Sequence, residues 1–461
     1  MRLRHMATRF VPIDRDTPLL LPPNLRDWVP ADHLVHFVLD AVEALDLRQV
    51  KVNTRGTGSE QYPPHMLLGL LIYSYATGTF GSRRIEQSTH DSVPVRLLTG
   101  DTHPDHDTLC TFRRENRALL SESFVKVLQL AQQLKVLKFG QLTVAADGTK
   151  VLANASKHSA VSYQRAGEMI SQLELEVTQL LAKAEQADAT PLQDGLSIPE
   201  EITRRQERKA ALAQARAEIE ARAQVRHAAQ LAGQSAKKEG GEKSGGQPPQ
   251  APPSGPEPGD QYNFTDPESR IMKAGNGNHF EQSYNAQAVV EVESRLIVGQ
   301  RVSQAANDKQ ELVPTLAAIP SAVGPVAAAL VDSGFFSEAA VTQVESATEG
   351  PVVYAAVDKR GHHRNVADLE KRPEPELPNA NASLKEVMGH RLKTKAGQAL
   401  YKLRQQTVEP VFGIIKSGLG FRQFRLRGRE KVSLEWTLVC LAYNLKRLHR
   451  LGTGLKLAAT N

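Results

Sequence analysis

The stretch "GQSAKKEGGEKSGGQPPQAPPSGPEPGD", from Gly233 to Asp260, most constrains what this chain can build. Its Gly, Pro and polar content cannot bury a core, so the sequence predicts a flexible segment there. Any sheet must therefore be assembled from pieces lying on either side of it. Just before it, from about Arg165 to Arg226, the chain is rich in Ala, Glu, Gln, Leu, Lys and Arg, which predicts one or two long polar helices. Residues 165–260 thus read as an insertion.

On the near side, "QLTVAADGTKVLANAS" alternates apolar and polar residues around Asp147, as a strand does, and its flanking glycines, Gly140 and Gly148, suit a strand with a turn after it. On the far side, "SYNAQAVVEVESRLIVGQRVSQ" reads as a hairpin broken at Glu293, Ser294 and Arg295. A helix is expected in "NDKQELVPTLAAI", capped by Asn307 or Asp308, then a strand in "PVAAALVDSGF" ending at Asp332. "SEAAVTQVESA" predicts a helix capped by Ser337, "PVVYAAVDKRG" a buried strand, and the remainder a basic helical segment. With the insertion removed, the order is β-β-β-α-β-α-β-α, that of a ribonuclease-H-like mixed sheet with flanking helices.

The first 139 residues differ in kind. "DHLVHFVLDAVEALDLRQV" has its apolar residues at helical spacing with Asp32 available as a cap, and Pro63 and Pro64 open a second helix. "TLCTFRRENRALLSESFVKVLQLAQQLKVL" predicts a third. The expected division is a helical domain over 1–139, a catalytic α/β domain over 140–164 and 261–450, the insertion, and a tail over 451–461. Cys110 and Cys440 are too far apart in sequence to form a metal knuckle and imply no disulfide framework. No apolar run approaches the roughly 18 residues of a membrane span. The N-terminus lacks a signal peptide's apolar core, so a cytoplasmic protein is expected. The net charge of +6 is a weak argument for a polyanionic partner, but its distribution is informative.

"YKLRQQTVEPVFGIIK", Tyr401 to Lys416, sets Glu409 among many cations. Asp147 and Asp332 fall on strands whose carboxyl ends gather chemistry in open α/β sheets. Stabilising the attacking and leaving oxygens of a phosphodiester takes two Mg²⁺ about 4 Å apart, held by clustered carboxylates. Without metal, three such acids would repel one another. Helical spacing places Tyr401, Gln405, Glu409, Phe412 and Lys416 within about 80° of one another, with Arg404 about 60° to the other side of Tyr401. Pro410 predicts a kink, or a helix that begins afresh at that residue.

"VAADGTKV", "VDSGFFS" and "YKLRQQTVEPVFGIIK", in that order with "YNAQAVVEV" between the first two, resemble a bacterial insertion-sequence DDE transposase. The likeness is greatest to the IS-eleven-eighty-two type, related to the IS-four and IS-five groups. "LLLPPNLRDWVPADHLVHFV", "YPPHMLLGLLIYSYATGTFGSRRIEQ" and "HPDHDTLCTFRREN" resemble that family's helical domain. The resemblance implies that Asp147, Asp332 and Glu409 bind two catalytic Mg²⁺, with Mn²⁺ able to substitute. It maps a Tyr, Arg, Glu, Lys signature to Tyr401, Arg404, Glu409 and Lys416, with four residues between Arg404 and Glu409 where related groups have three. The implied partners are double-stranded transposon-end and target DNA on the bacterial nucleoid, bound by a homodimer that pairs two ends. The polar helices of the insertion would either pair protomers or act as a spacer.

Further phosphate contacts are expected from Arg422, Arg425 and Arg427 in "FRQFRLRGREK", and from Arg83 and Arg84 between helices. For each, a solvated or ion-paired surface role is the alternative. Asn285 and Gln287 alternate along the hairpin and could approach the site. The crowded "HPDHDT", His103 to Thr108, reads better as a helix start than as a metal site. His362 and His363 suit either a phosphate-contacting or a solvated loop. Two other readings stand beside transposition: a DNA-binding descendant without activity, and a nuclease that cuts without joining.

Overall fold

The computed structural model describes residues 24–45, 47, 50, 61–189, 197–239, 253–273, 279–357, 374–379 and 381–452. Among the described residues, six α-helices precede the sheet: α1 (Leu34–Glu43), α2 (Pro64–Ala76), α3 (Ser82–Asp91), α4 (Val93–Thr99), α5 (His106–Glu115) and α6 (Arg117–Gln133). α2 opens at Pro64 as expected, and ten consecutive residues from Leu67 to Ala76 are buried. A helix apolar all round must lie inside. α1 is shorter than its apolar spacing suggested and is capped by His33 rather than Asp32, the ring nitrogen accepting from Val35 N. The expected third helix divides at Asn116 into α5 and α6, and Asp105 caps α5 by accepting from Thr108 N at 2.6 Å.

β1 (Leu142–Leu152) runs straight through Gly148 instead of turning there. A small two-stranded sheet, β2 (Ala160–Ser162) with β3 (Gln261–Asn263), closes the base of the insertion. The insertion holds two long helices, α7 (Tyr163–Ala189) and α8 (Ile198–Glu239), joined side by side by ion pairs such as Arg205–Glu176 and Lys209–Glu174. Helix α8 extends past Gly233, and Asp260 is bonded to Arg226 at 2.8 Å, so both ends of the segment expected to be flexible are ordered. Its middle, 240–252, lies outside the described residues, as do His362 and His363.

The main sheet contains β4 (Arg270–Lys273), β5 (Phe280–Glu291), β6 (Ile297–Ser303), β7 (Val326–Val331) and β8 (Val352–Ala355) together with β1. Its order is β6-β5-β1-β7-β8, with β4 sharing the β5 edge with β6. β5 is antiparallel to β1, β4 and β6, while β7 and β8 run parallel to β1. This mixed α/β sheet is consistent with the ribonuclease-H-like expectation. The turn between β5 and β6 falls where expected, with Arg295 at φ 59°.

α9 (Leu312–Leu316) is one short turn with Glu311 at its cap, so Asp308 is not the cap that was expected. α10 (Glu338–Glu345) starts behind Ser337. α11 (Leu384–Lys393), α12 (Lys395–Gly413) and α13 (Arg429–Arg450) follow. α12 passes through Pro410 without restarting and ends in a wide π-type turn, Ile414–Gly418. The carbonyl orphaned by Pro410 belongs to Gln406, an exposed residue where water can serve it. One continuous core runs from Val29 through the sheet to Leu448, so the N-terminal helices and the sheet share their burial.

The strand can pass Gly148 only because that residue has no side chain. A Cβ there would collide with Gln287 Nε2 and lie 2.7 Å from both Asn285 Oδ1 and Asp308 Oδ1. Asn285 and Gln287 are fully buried and cannot retreat. Gly148→Ala should therefore cost about 1–3 kcal/mol in denaturant unfolding; a variant as stable as the parent would show that the notch yields.

Candidate active site

Asp147 stands where β1 outruns its neighbour: the pairing of β1 with β7 ends at Ala145↔Leu330, and β7 ends at Val331, one residue before Asp332. Parallel register thus brings the two aspartates to the same end of adjacent strands. Each is steadied by its own backbone turn, Asp147 Oδ1 accepting from Gly148 N and Asp332 Oδ1 from Gly334 N, both at 2.8 Å. Burial, reinforced by the nearby Asp332 carboxylate, pushes the Asp147 carboxyl up to about 7. Two neighbouring carboxylates, partly buried, are a place that favours a cation.

Helix α12 lies across these strand ends. Tyr401 donates its hydroxyl to Val331 O at 3.2 Å, immediately before Asp332, and burial raises its pKa. Arg404 is 9% exposed and reaches two acids, Asp147 Oδ2 at 3.7 Å and Glu409 Oε1 at 3.4 Å. Its guanidinium also sits 5.9 Å from the centre of the Tyr401 ring. Lys416, in the wide turn, donates to Lys150 O at 2.8 Å. Burial, with Arg422 and Lys150 adding repulsion, holds its ammonium below the usual range.

The structure therefore brings together Asp147, Asp332, Tyr401 and Arg404, and links Glu409 to Asp147 through Arg404. Glu409 itself is half exposed. Among the described residues no three His, Cys, Asp or Glu side chains stand close enough to hold one metal ion. The oxygen donors of Asp147 and Asp332 suit Mg²⁺. In this arrangement Glu409 pairs with Arg404 instead of sharing a cation with them.

Asn285 and Gln287 face away from Asp147. They pair across the strands with Lys150 and Gly148, and both amides donate to Asp308 Oδ1 at 2.7 Å. Asp308 was missed as anything but a cap, since its short "NDKQ" setting carries a cap's signature; the fold instead places it under the Gly148 notch, where its charge also raises Asp147.

The arginines separate into two groups. Arg422, Arg425 and Arg427 are exposed on the strip between the π-type turn and α13, which is tied to β1 by Leu152 N to Arg422 O and Phe424 N to Leu152 O. Phe421 and Phe424 anchor the strip and are fully buried. Arg83 and Arg84 lie not between helices but in the first turn of α3, exposed. In "HPDHDT" each group has its own partner: His103 bonds Thr89, His106 bonds Glu86, and Asp105 caps α5.

The raised Asp147 pKa sets a pH dependence. The folded state holds a proton that the unfolded chain releases near pH 4, so stability falls as pH rises from about 4 to about 7. Asp147→Asn should stabilise the metal-free protein by about 2–4 kcal/mol at pH 8 and by almost nothing at pH 4. Equal effects in thermal unfolding at both pH values would contradict the buried-acid account.

Two family models match the chain. Residues 370–449 match a transposase DDE domain. Residues 23–115 match a transposase domain (DUF772). The first match contains Glu409, Lys416 and the arginine strip, while Asp147 and Asp332 fall outside it; the second spans α1 to α5. No curated protein and no solved structure matches. The chain is thus similar to transposase-domain models toward both of its ends.

Proposed function

We propose that the protein is an insertion-sequence DDE transposase of the IS-eleven-eighty-two type. On this reading it cuts DNA at the ends of its element and joins the freed 3′-OH to target DNA, working as a homodimer on the bacterial nucleoid. The observation that carries the reading is the docking of α12 and its terminal turn onto the strand ends. Tyr401 reaches Val331 and Arg404 reaches Asp147, while Lys416 reaches the carbonyl of Lys150 further along β1, so the signature helix is held against the two strands that carry the aspartates.

Asp147 and Asp332 would hold Mg²⁺, with Glu409 completing a second metal position and Mn²⁺ able to replace it. When bound, the metal activates the attacking oxygen and steadies the leaving one. Arg404 presents a cation beside the acids and Lys416 one further along β1, and together they would hold the scissile phosphate. Tyr401 fixes the end of β7 and so the position of Asp332. Arg422, Arg425, Arg427, Arg83 and Arg84 contact phosphates further along the duplex. The N-terminal helices serve recognition of the ends.

A second reading, a DNA-binding descendant without cleavage, draws on one feature. Arg404 holds Glu409 by a direct ion pair, which leaves two acids rather than three facing one another. Incubating the purified protein with a plasmid carrying the DNA that flanks its coding region, in Mg²⁺ or in chelator, separates the readings. Transposition predicts metal-dependent cuts at both flanks, absent with Asp332→Asn, and transfer of the 3′ ends to a second plasmid. Cuts that are never joined would identify a nuclease, and DNA shifted without cuts would identify the inactive descendant.

A further inference from the structure

Glu435 is an acid buried in the middle of an apolar helix, 2% exposed on α13, and the active-site account makes no use of it. A carboxylate in that position needs partners. It has them on two sides. Its Oε2 accepts the backbone N–H groups of Arg425 at 2.9 Å and Leu426 at 3.0 Å, and its Oε1 accepts the Tyr75 hydroxyl of α2 at 3.1 Å. Tyr75 in turn accepts from Arg113 Nη1 at 3.3 Å, and Arg113, buried on α5, also donates to Ser82 at the start of α3. One hydrogen-bonded chain therefore runs from three N-terminal helices to the arginine strip.

The same strip is held at its other end by two more acids. Asp266 Oδ1 accepts from Gly428 N at 3.2 Å and Glu268 Oε2 from Arg429 N at 2.8 Å. Three carboxylates thus bind backbone amides of the strip and of the first residue of α13 rather than their side chains. Among the described residues, the exposed Arg425 and Arg427 pair with no carboxylate, although three acids accept the neighbouring amides of Arg425, Leu426, Gly428 and Arg429. The charge is left outward and unneutralised on a backbone that is already fixed, which lowers the ordering that binding a polyanion would demand.

We propose that Glu435 is a positioning residue for DNA: it fixes the Arg425–Arg427 turn as a phosphate-binding surface and, through Tyr75 and Arg113, ties that surface to the N-terminal helices. The inference rests on the transposase reading, because that reading makes the strip a DNA contact. A purely structural acid would, when altered, weaken the whole fold and leave the charge dependence of DNA binding unchanged.

The test is a double-mutant cycle on binding of the full chain to a random-sequence fluorescent duplex in chelator, with affinity followed against salt. The Arg425→Ala/Arg427→Ala double variant should lower the slope of log affinity against log salt by about 2, since each lost phosphate contact removes about 0.9. Glu435→Gln should lower affinity about tenfold and reduce the slope by between about 1 and 2. Placed on the double variant, it should change affinity by less than about twofold. Tyr75→Phe, which removes only the hydroxyl link, should act in the same direction and also lose its effect on the double variant; it decides the matter if Glu435→Gln does not fold. Unchanged slopes in these two variants, or losses that multiply fully with the arginine changes, overturn the inference. An arginine double variant that binds like the parent removes the DNA reading of the strip, and the inference with it.

Discussion

The burial of α13 is the constraint on which the rest depends. Fourteen of its 22 residues are buried, so it cannot lie on a surface and must be enclosed from opposite sides. The N-terminal helices α1, α2 and α6 enclose one side and β6 the other. Several polar groups of α13 find partners across this contact. Asn444 takes both backbone groups of Ile297, at 2.8 Å each, and Trp436 Nε1 donates to Gln287 O at 3.0 Å. Asn444 thereby serves backbone groups of β6, a strand at the edge of the sheet, from the side of a helix. Because the last helix completes a core that the first helices began, neither end of the chain can bury its apolar surface without the other.

The candidate site follows from that closure. With α13 fixed against β6, the strip from Phe421 to Gly428 has to return along β1, and its bonds to Leu152 set α12 across the strand ends. The acids then meet for reasons of register. Asp147 and Asp332 reach one level because β1 and β7 are parallel neighbours, which no spacing in sequence could state on its own.

Much of this was legible beforehand. Strands β1, β5, β6, β7 and β8, the hairpin turn at Arg295 and the two polar helices of the insertion follow from periodicity and composition, whereas the short strands β2, β3 and β4 carry no such signal. What failed did so for identifiable reasons. Gly148 read as a turn because a glycine's local signature does not reveal that its missing Cβ makes room for Asp308. Asp308 read as a cap because capping and accepting two buried amides call for the same short acid. Asn285 and Gln287 were expected near the site, but the two-residue period of β5 turns them to the face opposite Asp147. Glu435 did leave a signal, a lone acid inside "SLEWTLVCLAYNL", and only tertiary structure supplied its partners.

The unusual spacing of the signature has a geometric meaning. Residues five apart on an α-helix diverge by about 140°, whereas residues four apart share a face. Arg404 and Glu409 are five apart, so one can point into the sheet while the other points out. Arg404 is indeed buried against Asp147, and Glu409 is half exposed. Only the length of the guanidinium arm lets Arg404 reach both at once. The wide turn at Ile414–Gly418 then carries Lys416 to the carbonyl of Lys150 on β1. Such turns widen a helix by one residue and recur at functional positions. The helix thus approaches the aspartates with one cation held between acids and a second held against the strand, and movement of Glu409 toward Asp147 requires Arg404 to release it first.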